Sequence, residues 1–421
     1  GIIIIDEEHD SSYKQDSPSP RYNARDVAIM RAKFEKANIL LSSATPSLES
    51  YYNAQKSKYE YLNLPFRFGK ASYPKVQIVD LIEENEESGK ISTVISGLLL
   101  DKIEQKLKMG EQILLIQNRR GYSPVISCVY CSYTPNCKSC DVSLTYYKWN
   151  NSLKCHYCGY TEDIPNECPS CKCKEFSDEG FGTEQIEESL GQLFPDYVTK
   201  RLDYDTTRRK HAYQKIISDF EQGRIDILVG TQMVTKGLDF DNVSLVGILN
   251  ADSMFNFPDF RSYERTYQML CQVSGRAGRY EKKGKVFLQT FQNENEIFKF
   301  IKDYDYESMY ENQKIERKKF KYPPFVKLIK ITFKNRNFQL VNESSQWFYN
   351  VLYQNYKGTI LGPVFPYISK IRNLFQKQLL IKIDSNFNQI QTKKIIKKVE
   401  SSFRAISRFR STKLSFDVDP Y

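Results

Sequence analysis

Eight of the ten cysteines fall between Cys128 and Cys171, as four CxxC pairs: Cys128 with Cys131, Cys137 with Cys140, Cys155 with Cys158, and Cys168 with Cys171. A two-residue spacer lets both thiolates of a pair face one metal. Eight thiolates fill two closed tetrahedral sites, which makes the metal a structural Zn2+. Disulfide scaffolds are also cysteine-dense, but the flanking segments carry no cysteine framework, so a reducing, cytosolic compartment fits better. Spacing leaves open which pairs share an ion. His156 lies between two ligands without being needed, Cys173 is spare, and Cys271 reads as a buried residue within a helix. The block holds few large aliphatic residues, so ligation would supply its folding energy.

A second set of residues opens the chain. In GIIIIDEEHD four isoleucines run into Asp6, Glu7, Glu8 and His9. An unbroken β-branched run fits a strand buried on both faces, with the acidic residues at its C-terminal edge, where α/β folds place ligands. There one carboxylate can hold Mg2+ through its water shell and the next can orient a water against a phosphate. The same residues can also be read as a solvated acidic turn. Further along lie Ser43, Ala44 and Thr45 in SAT, then Thr231, Gln232, Lys236 and Asp239 in and just after GTQMVTKG. The last of the series is QVSGRAGR, with Gln272, Arg276 and Arg279. Two arginines three residues apart at a helix start share a face, and neighbouring glycines let the backbone approach a triphosphate held by another lobe. Polar groups at a strand end can equally cap the next helix.

These groups need a framework, and the periodicity supplies one. Helices are expected at 24–34, 98–107, 184–193, 207–222 and 262–274. Short strands are expected at 39–41, 113–116, 225–230, 245–249 and 285–290. The cysteine block interrupts this α/β series as an insertion. A charged helix from about residue 307 leads to YPPF at 322–325, where the doubled proline marks a boundary. Beyond it, KLIKITF and QLLIKI flank helical segments, as in a small α+β domain.

At 421 residues the chain needs several domains, and its longest apolar runs are strand-sized, so nothing spans a membrane. The formal charge of +10 is uneven: residues 318–421 hold 20 Lys plus Arg against 5 Asp plus Glu, a net of +15. A basic terminal domain suits a polyanion partner. Lys393, Lys394, Lys397 and Lys398 are candidate phosphate contacts because their i, i+4 spacing sets two pairs along one side of a helix. A lysine-rich helix can equally be a solvated face.

The order of these motifs resembles that of superfamily 2 helicases. DEEHDSSYKQ, YNARDVAIMRA and LLSSATPSLES are similar to the primosomal protein N′ (PriA) family, which acts in bacterial replication restart. The likeness continues through NRRGY, the CxxC pairs, GFGTEQIEESLGQLFP, RLDYDTT, ILVGTQMVTKGLDF, DFRSYERTYQMLCQVSGRAGR, ERKKFKYPPF and FDVDP. It implies an α/β fold of RecA-like helicase lobes, the first incomplete, with an inserted two-zinc domain and a small C-terminal α+β domain. On that basis residues 1–70 would end lobe one, 71–127 and 174–306 would form lobe two, 128–173 the zinc insertion, and 307–421 a connector helix and DNA-binding domain.

The resemblance also implies roles. Asp6 would order Mg2+ and Glu7 would be the general base, while Glu8 and His9 would couple the ATP site to the polynucleotide side. Ser43 and Thr45 would relay between lobes. Arg276 and Arg279, with Gln272, would serve as arginine fingers, and Asp239 would help the nucleotide side. Thr231, Gln232 and Lys236 would meet the DNA backbone. Tyr13, Lys14, Arg21 and Tyr22 match an aromatic-rich loop that senses single-stranded DNA. The cysteines would nest, Cys128 and Cys131 with Cys168 and Cys171 around Cys137, Cys140, Cys155 and Cys158. The expected partners are forked and single-stranded DNA, single-stranded DNA-binding protein and other primosome proteins, in the bacterial cytoplasm.

One element of the family is absent from the sequence. No GxxxxGK[ST] phosphate loop occurs; FGKAS at 68–72 and SGKIS at 88–92 both lack its full pattern. The resemblance then implies that the phosphate loop and the N-terminal DNA-binding domains stand ahead of Gly1 or in a separate chain. Two readings follow: a part of an ATP-dependent 3′ to 5′ DNA helicase, or a non-catalytic zinc and DNA-binding or primosome-scaffold remnant.

Overall fold

The computed structural model describes the chain except residues 66–72, 89–93, 118–124, 129–132, 141, 148–150, 156, 180–182, 204–205, 208–210, 232–233, 235–239, 241, 257–258, 276–283, 385 and 421. It divides into two compact units. One comprises Gly1–Tyr61, Val125–Ser177 and Lys314–Tyr421, and the other Leu62–Pro124 and Asp178–Gln313.

The chain opens with β1 (Ile2–Ile5), α1 (Ala24–Glu35), β2 (Asn38–Leu41) and α2 (Leu48–Gln55). β1 and β2 pair in parallel, Ile2 opposite Asn38 and Ile5 opposite Leu41. Asn23 caps α1 by accepting the Arg25 N–H, and Ser47 caps α2 by accepting the Ser50 N–H. Within this chain the isoleucine run is covered on one face only. Side chains alternate along a strand: Ile5 is buried, whereas Ile2 is 62% and Ile4 61% exposed. Leu40, on β2, is exposed as well.

The second unit begins with β3 (Lys75–Asp80), α3 (Leu81–Ser88), α4 (Gly97–Lys108) and β4 (Gln112–Ile116). The cysteine block follows β4, with β5 (Val125–Cys128), β6 (Thr145–Tyr147), β7 (Ser152–Lys154), β8 (Thr161–Asp163) and β9 (Phe176–Glu179). The second unit then resumes with α5 (Thr183–Leu193), β10 (Thr199–Leu202), α6 (Ala212–Glu221), β11 (Ile227–Gly230), β12 (Val243–Ile248), α7 (Asp252–Phe255), α8 (Ser262–Ser274), β13 (Lys285–Thr290) and α9 (Glu296–Asp303). Its sheet runs β10-β11-β4-β12-β13-β3, all parallel. Such a sheet buries both faces, and every residue of β4, β11 and β12 is buried. Leu99, Ile103 and Leu107 of α4, spaced i, i+4, i+8, enter this core beside Ile113, Leu115, Ile227 and Val229. Helix α6 starts five residues later than the periodicity suggests, because His211 takes a left-handed φ of 68° immediately before it.

Helix α10 (Tyr306–Lys319) leads to the C-terminal part: β14 (Val326–Asn335), α11 (Phe338–Asn355), β15 (Thr359–Val364), β16 (Lys370–Ile371), β17 (Leu374–Asp384), α12 (Gln389–Ala405) and β18 (Lys413–Val418). This antiparallel sheet has the order β15-β17-β14-β18, with β16 pairing β17. Phe348 and Leu352 of α11 and Ile396, Val399 and Phe403 of α12 pack with Ile331, Phe333, Leu379 and Ile381 of the sheet. Among the described residues no helix is long and apolar enough to cross a membrane.

Candidate functional site

The four residues after β1 divide into two pairs. Glu8 is buried, and its carboxylate accepts from Arg25 Nη1 (2.9 Å), the Ser47 N–H (2.6 Å), Ser47 Oγ (3.1 Å) and Ser50 Oγ (2.8 Å). It therefore fastens α1 and the start of α2 to the end of β1. Arg25 was not singled out in the sequence, although a signal was there: a cation in the first turn of a helix opposes the helix dipole, and Glu8 compensates it. His9 bonds Ser43 Oγ through Nδ1 at 2.7 Å, and Ser43 Oγ accepts the Thr45 N–H at 3.0 Å. DEEH and SAT are thus joined directly.

Asp6 and Glu7 are placed differently. Asp6 Oδ1 accepts from Ser42 Oγ (2.8 Å) and the Glu7 N–H (3.0 Å), and its second oxygen has no partner among the described residues. Glu7 sits at a left-handed φ of 48°, with its side chain 42% exposed and its carboxylate 3.5 Å from His9 Nδ1. Two carboxylates at the C-terminal edge of parallel strands, one with a free oxygen, fit a hydrated Mg2+.

The loop that follows is tied down at both ends. Tyr13 donates its hydroxyl to the Asp6 carbonyl (2.7 Å), and burial, with Asp6 adding to it, raises the phenol's pKa. Lys14 is buried; its ammonium meets Asp417 Oδ1 at 2.9 Å and the Val418 carbonyl at 2.8 Å, on β18. Arg21 lies 4.0 Å from the other oxygen of Asp417. Lys14 was expected at DNA, but its charge is engaged within the protein. Tyr22 is 44% exposed and remains accessible.

In the second unit, Thr231 follows β11. Gly230 admits no larger residue there, since a Cβ would lie 2.4 Å from Val234 Cγ1. Gln272 and Ser274 belong to the last turn of α8, and Gly275 caps it with its N–H on the Cys271 carbonyl. The described helix runs into QVSGRAGR as far as Ser274, with Gly275 at its C-cap. Gln232, Lys236, Asp239, Arg276 and Arg279 lie outside the described residues. Cys271 is only half-buried by exposed area, yet burial pushes its thiol up to about 12.

The cysteines assemble into two groups. The sulfurs of Cys137, Cys140, Cys155 and Cys158 all lie within 4.8 Å of one another, and those of Cys128, Cys168 and Cys171 do the same. Cys131 lies outside the described residues. This is the nested pattern that the resemblance implied. A tetrahedral zinc with bonds of about 2.3 Å sets its sulfurs about 3.8 Å apart; Cys137 to Cys158 and Cys128 to Cys171 are each 3.5 Å. Each of the four turns is closed in the same way. The first cysteine's N–H donates to the carbonyl five residues on, at Tyr133, Val142, Tyr160 and Cys173. The Ser139 and Tyr160 N–H groups point at Cys137 Sγ and Cys158 Sγ, both at 3.4 Å. Burial pushes the Cys137, Cys140 and Cys155 thiols up, while the Cys158 thiol, despite burial, is lowered by the hydrogen bonds it accepts from the Tyr160 N–H and the neighbouring cysteines; a bound cation would hold all four as thiolates.

A contact that the sequence did not suggest reaches this group. Arg372 (φ 51°) and Asn373 (φ 58°) form the two-residue turn between β16 and β17. The Arg372 N–H donates to Cys140 Sγ at 3.2 Å, and the Asn373 N–H to the Ser139 carbonyl at 2.8 Å. The left-handed pair is the type I′ hairpin geometry, and Asn at its second position was the only sequence signal. On α12, Lys393, Lys394, Lys397 and Lys398 are all exposed.

Three protein families match the chain. The PriA DNA helicase Cys-rich region (CRR) domain covers residues 137–162, the helicase conserved C-terminal domain 176–281, and the primosomal protein N C-terminal domain 318–421. The replication restart protein PriA of Bacillus subtilis (strain 168) is 40% identical over 423 residues, covering 100% of this chain and 52% of the relative. PriA of Chlamydia pneumoniae is 37% identical over 426 residues (100% and 56%), and that of Synechocystis sp. 40% over 431 (100% and 50%). The chain spans about half the length of these curated relatives.

Proposed function

We propose that this chain, which matches the PriA family of replication-restart helicases along its full length, works as part of an ATP-driven 3′ to 5′ DNA helicase in replication restart and primosome assembly. In this reading residues 1–70 are the end of one RecA-like lobe and the six-stranded parallel sheet is the second lobe. The cysteine groups hold two structural Zn2+, and residues 307–421 bind forked or single-stranded DNA.

The observation that supports it most is the division within DEEH. Glu8 and His9 are fastened to the protein, while Asp6 keeps an oxygen open and Glu7 stays accessible at a strained backbone position. A merely solvated acidic turn has no use for that division. Mg2+ and ATP, when bound, supply the reacting phosphoryl group and the cation that screens it. Asp6 holds the metal's water shell. Glu7 takes the proton of the attacking water at its carboxylate. The His9–Ser43 hydrogen bond passes a change at this edge to SAT. The reading assigns Arg276 and Arg279, with Gln272 at the end of α8, the role of arginine fingers.

The sequence contains no phosphate loop, so this chain by itself should hydrolyse almost no ATP. The test joins it to the phosphate-loop portion of the Bacillus subtilis relative and measures DNA-stimulated hydrolysis. Turnover should appear in the joined protein, and Glu7→Ala should remove it while nucleotide binding persists. Turnover that survives Glu7→Ala would reject Glu7 as the base, and a joined protein that binds ATP but never hydrolyses it would favour the scaffold reading.

A further inference from the structure

The C-terminal sheet carries a cluster of rings at one end of its helix-covered face, beyond the core residues Phe333 and Leu379. Phe338 opens α11, Phe365 follows β15 and Phe375 lies on β17. Phe338 and Phe365 are stacked, centroids 5.3 Å apart and planes 1° apart, and Phe375 meets Phe338 edge-on at 5.3 Å. They are not core residues: Phe338 is 51% and Phe365 37% exposed, and the neighbouring Tyr367 is 94% exposed.

Cations are set among these rings. Lys377 Nζ lies 5.0 Å from the Phe365 centroid and Lys370 Nζ 5.3 Å from that of Phe375. Arg336, Lys370, Asn373 and Phe375 line a recess of about 390 Å3. Elsewhere in this domain Lys321, Lys327, Arg404 and Arg408 have acidic partners. Among the described residues Arg336, Lys370 and Lys377 are in no ion pair.

Exposed aromatic rings interleaved with cations that lack counter-charges form the arrangement that holds unpaired nucleotides. Bases stack on the rings and phosphates meet the cations. We propose that this cluster is a binding site for single-stranded nucleic acid, with bases on the exposed surfaces of Phe338, Phe365 and Tyr367 and the backbone along Arg336 and Lys370. The inference rests on the DNA-binding role proposed above and assigns it a place separate from the α12 lysines. A duplex conceals its base faces, so the cluster should discriminate between the two forms. An acidic peptide would use the cations but has little use for stacked rings without a deep apolar pocket.

The experiment uses the whole chain and fluorescence anisotropy with a labelled oligo-dT and a labelled hairpin duplex, between 50 and 200 mM salt. Phe338→Ala with Phe365→Ala should weaken oligo-dT binding roughly tenfold and leave the duplex nearly unchanged, and Phe365→Trp should keep wild-type affinity. Arg336→Gln with Lys370→Gln should lower the single-strand log–log salt slope by about 1.4. Circular dichroism melts report whether each variant is folded. A folded alanine variant with wild-type oligo-dT affinity would overturn the site while leaving DNA binding intact. Equal losses on both DNAs, or displacement of oligo-dT at this cluster by an Asp/Glu-rich peptide at lower concentration than by unlabelled oligo-dT, would also overturn it. A wild-type chain with no salt-dependent affinity for any DNA would reject the broader reading.

Discussion

The cysteine groups and the DEEH edge both gather anionic ligand atoms, and they treat them in opposite ways. In the first, every sulfur of Cys137, Cys140, Cys155 and Cys158 faces the others, and backbone N–H groups of Ser139, Tyr160 and Arg372 close around them. In the second, Glu8 takes up the local donors, and Asp6 and Glu7 are left facing outward. A site that only has to hold together is completed from within. One that has to act on something keeps part of its bonding capacity open, and a neighbouring residue of the same type does the fastening.

Metal removal should break the comparison most severely. Two equivalents of zinc per chain are expected, and structural zinc contributes on the order of 10 kcal/mol to small domains. Cys137→Ser should lose one equivalent by metal analysis and expose residues 125–177 to protease. A protein with one equivalent or none before mutation contradicts the assignment. Next in size is Glu8→Ala, which removes the buried carboxylate that Arg25, Ser47 and Ser50 share, leaves Arg25 only the exposed Asp26 as acidic partner, and should cost about 3 kcal/mol in chemical denaturation. Glu7→Ala, one residue away, should change stability by no more than about 0.5 kcal/mol; similar losses for the two would erase the distinction drawn between them.

Lys14→Met should destabilise by about 3 kcal/mol, because Asp417 is then buried without its nearest cation, and Asp417→Leu added to it should recover part of that loss. The smallest effect on folding belongs to Lys393, Lys394, Lys397 and Lys398. Changed together to Gln they should leave the melting temperature within about 2 °C and, if they touch phosphates, flatten the salt dependence of duplex binding. An unchanged slope would identify them as a solvated face.

Local patterns were legible where one stretch of chain contains its own partners. Each CxxC turn closes within six residues, and α4 shows its buried stripe in Leu99, Ile103 and Leu107. The expectation for QVSGRAGR can be followed only to Gly275, because Arg276 and Arg279 lie outside the described residues. The isoleucine run showed strand propensity but not coverage, which depends on what packs against each face. Lys14, Glu8 and the Phe338–Phe365–Phe375 cluster could not be read at all. Their partners come from distant segments, and with 14% aromatic residues no single phenylalanine stands out.

The bond between Lys14 and β18 has one more consequence. Lys14 and the Val418 carbonyl are 404 residues apart, among the longest loops this chain can close. Contacts of such separation form late in folding. During synthesis from the N-terminus, the loop beside Asp6 and Glu7 therefore keeps its Tyr13 bond to Asp6 but lacks its Lys14 anchor until strand β18 has emerged, and any premature stop that removes β18 leaves Lys14 without its buried counter-charge. Strand β18 thus acts as a completion check on the segment that follows β1.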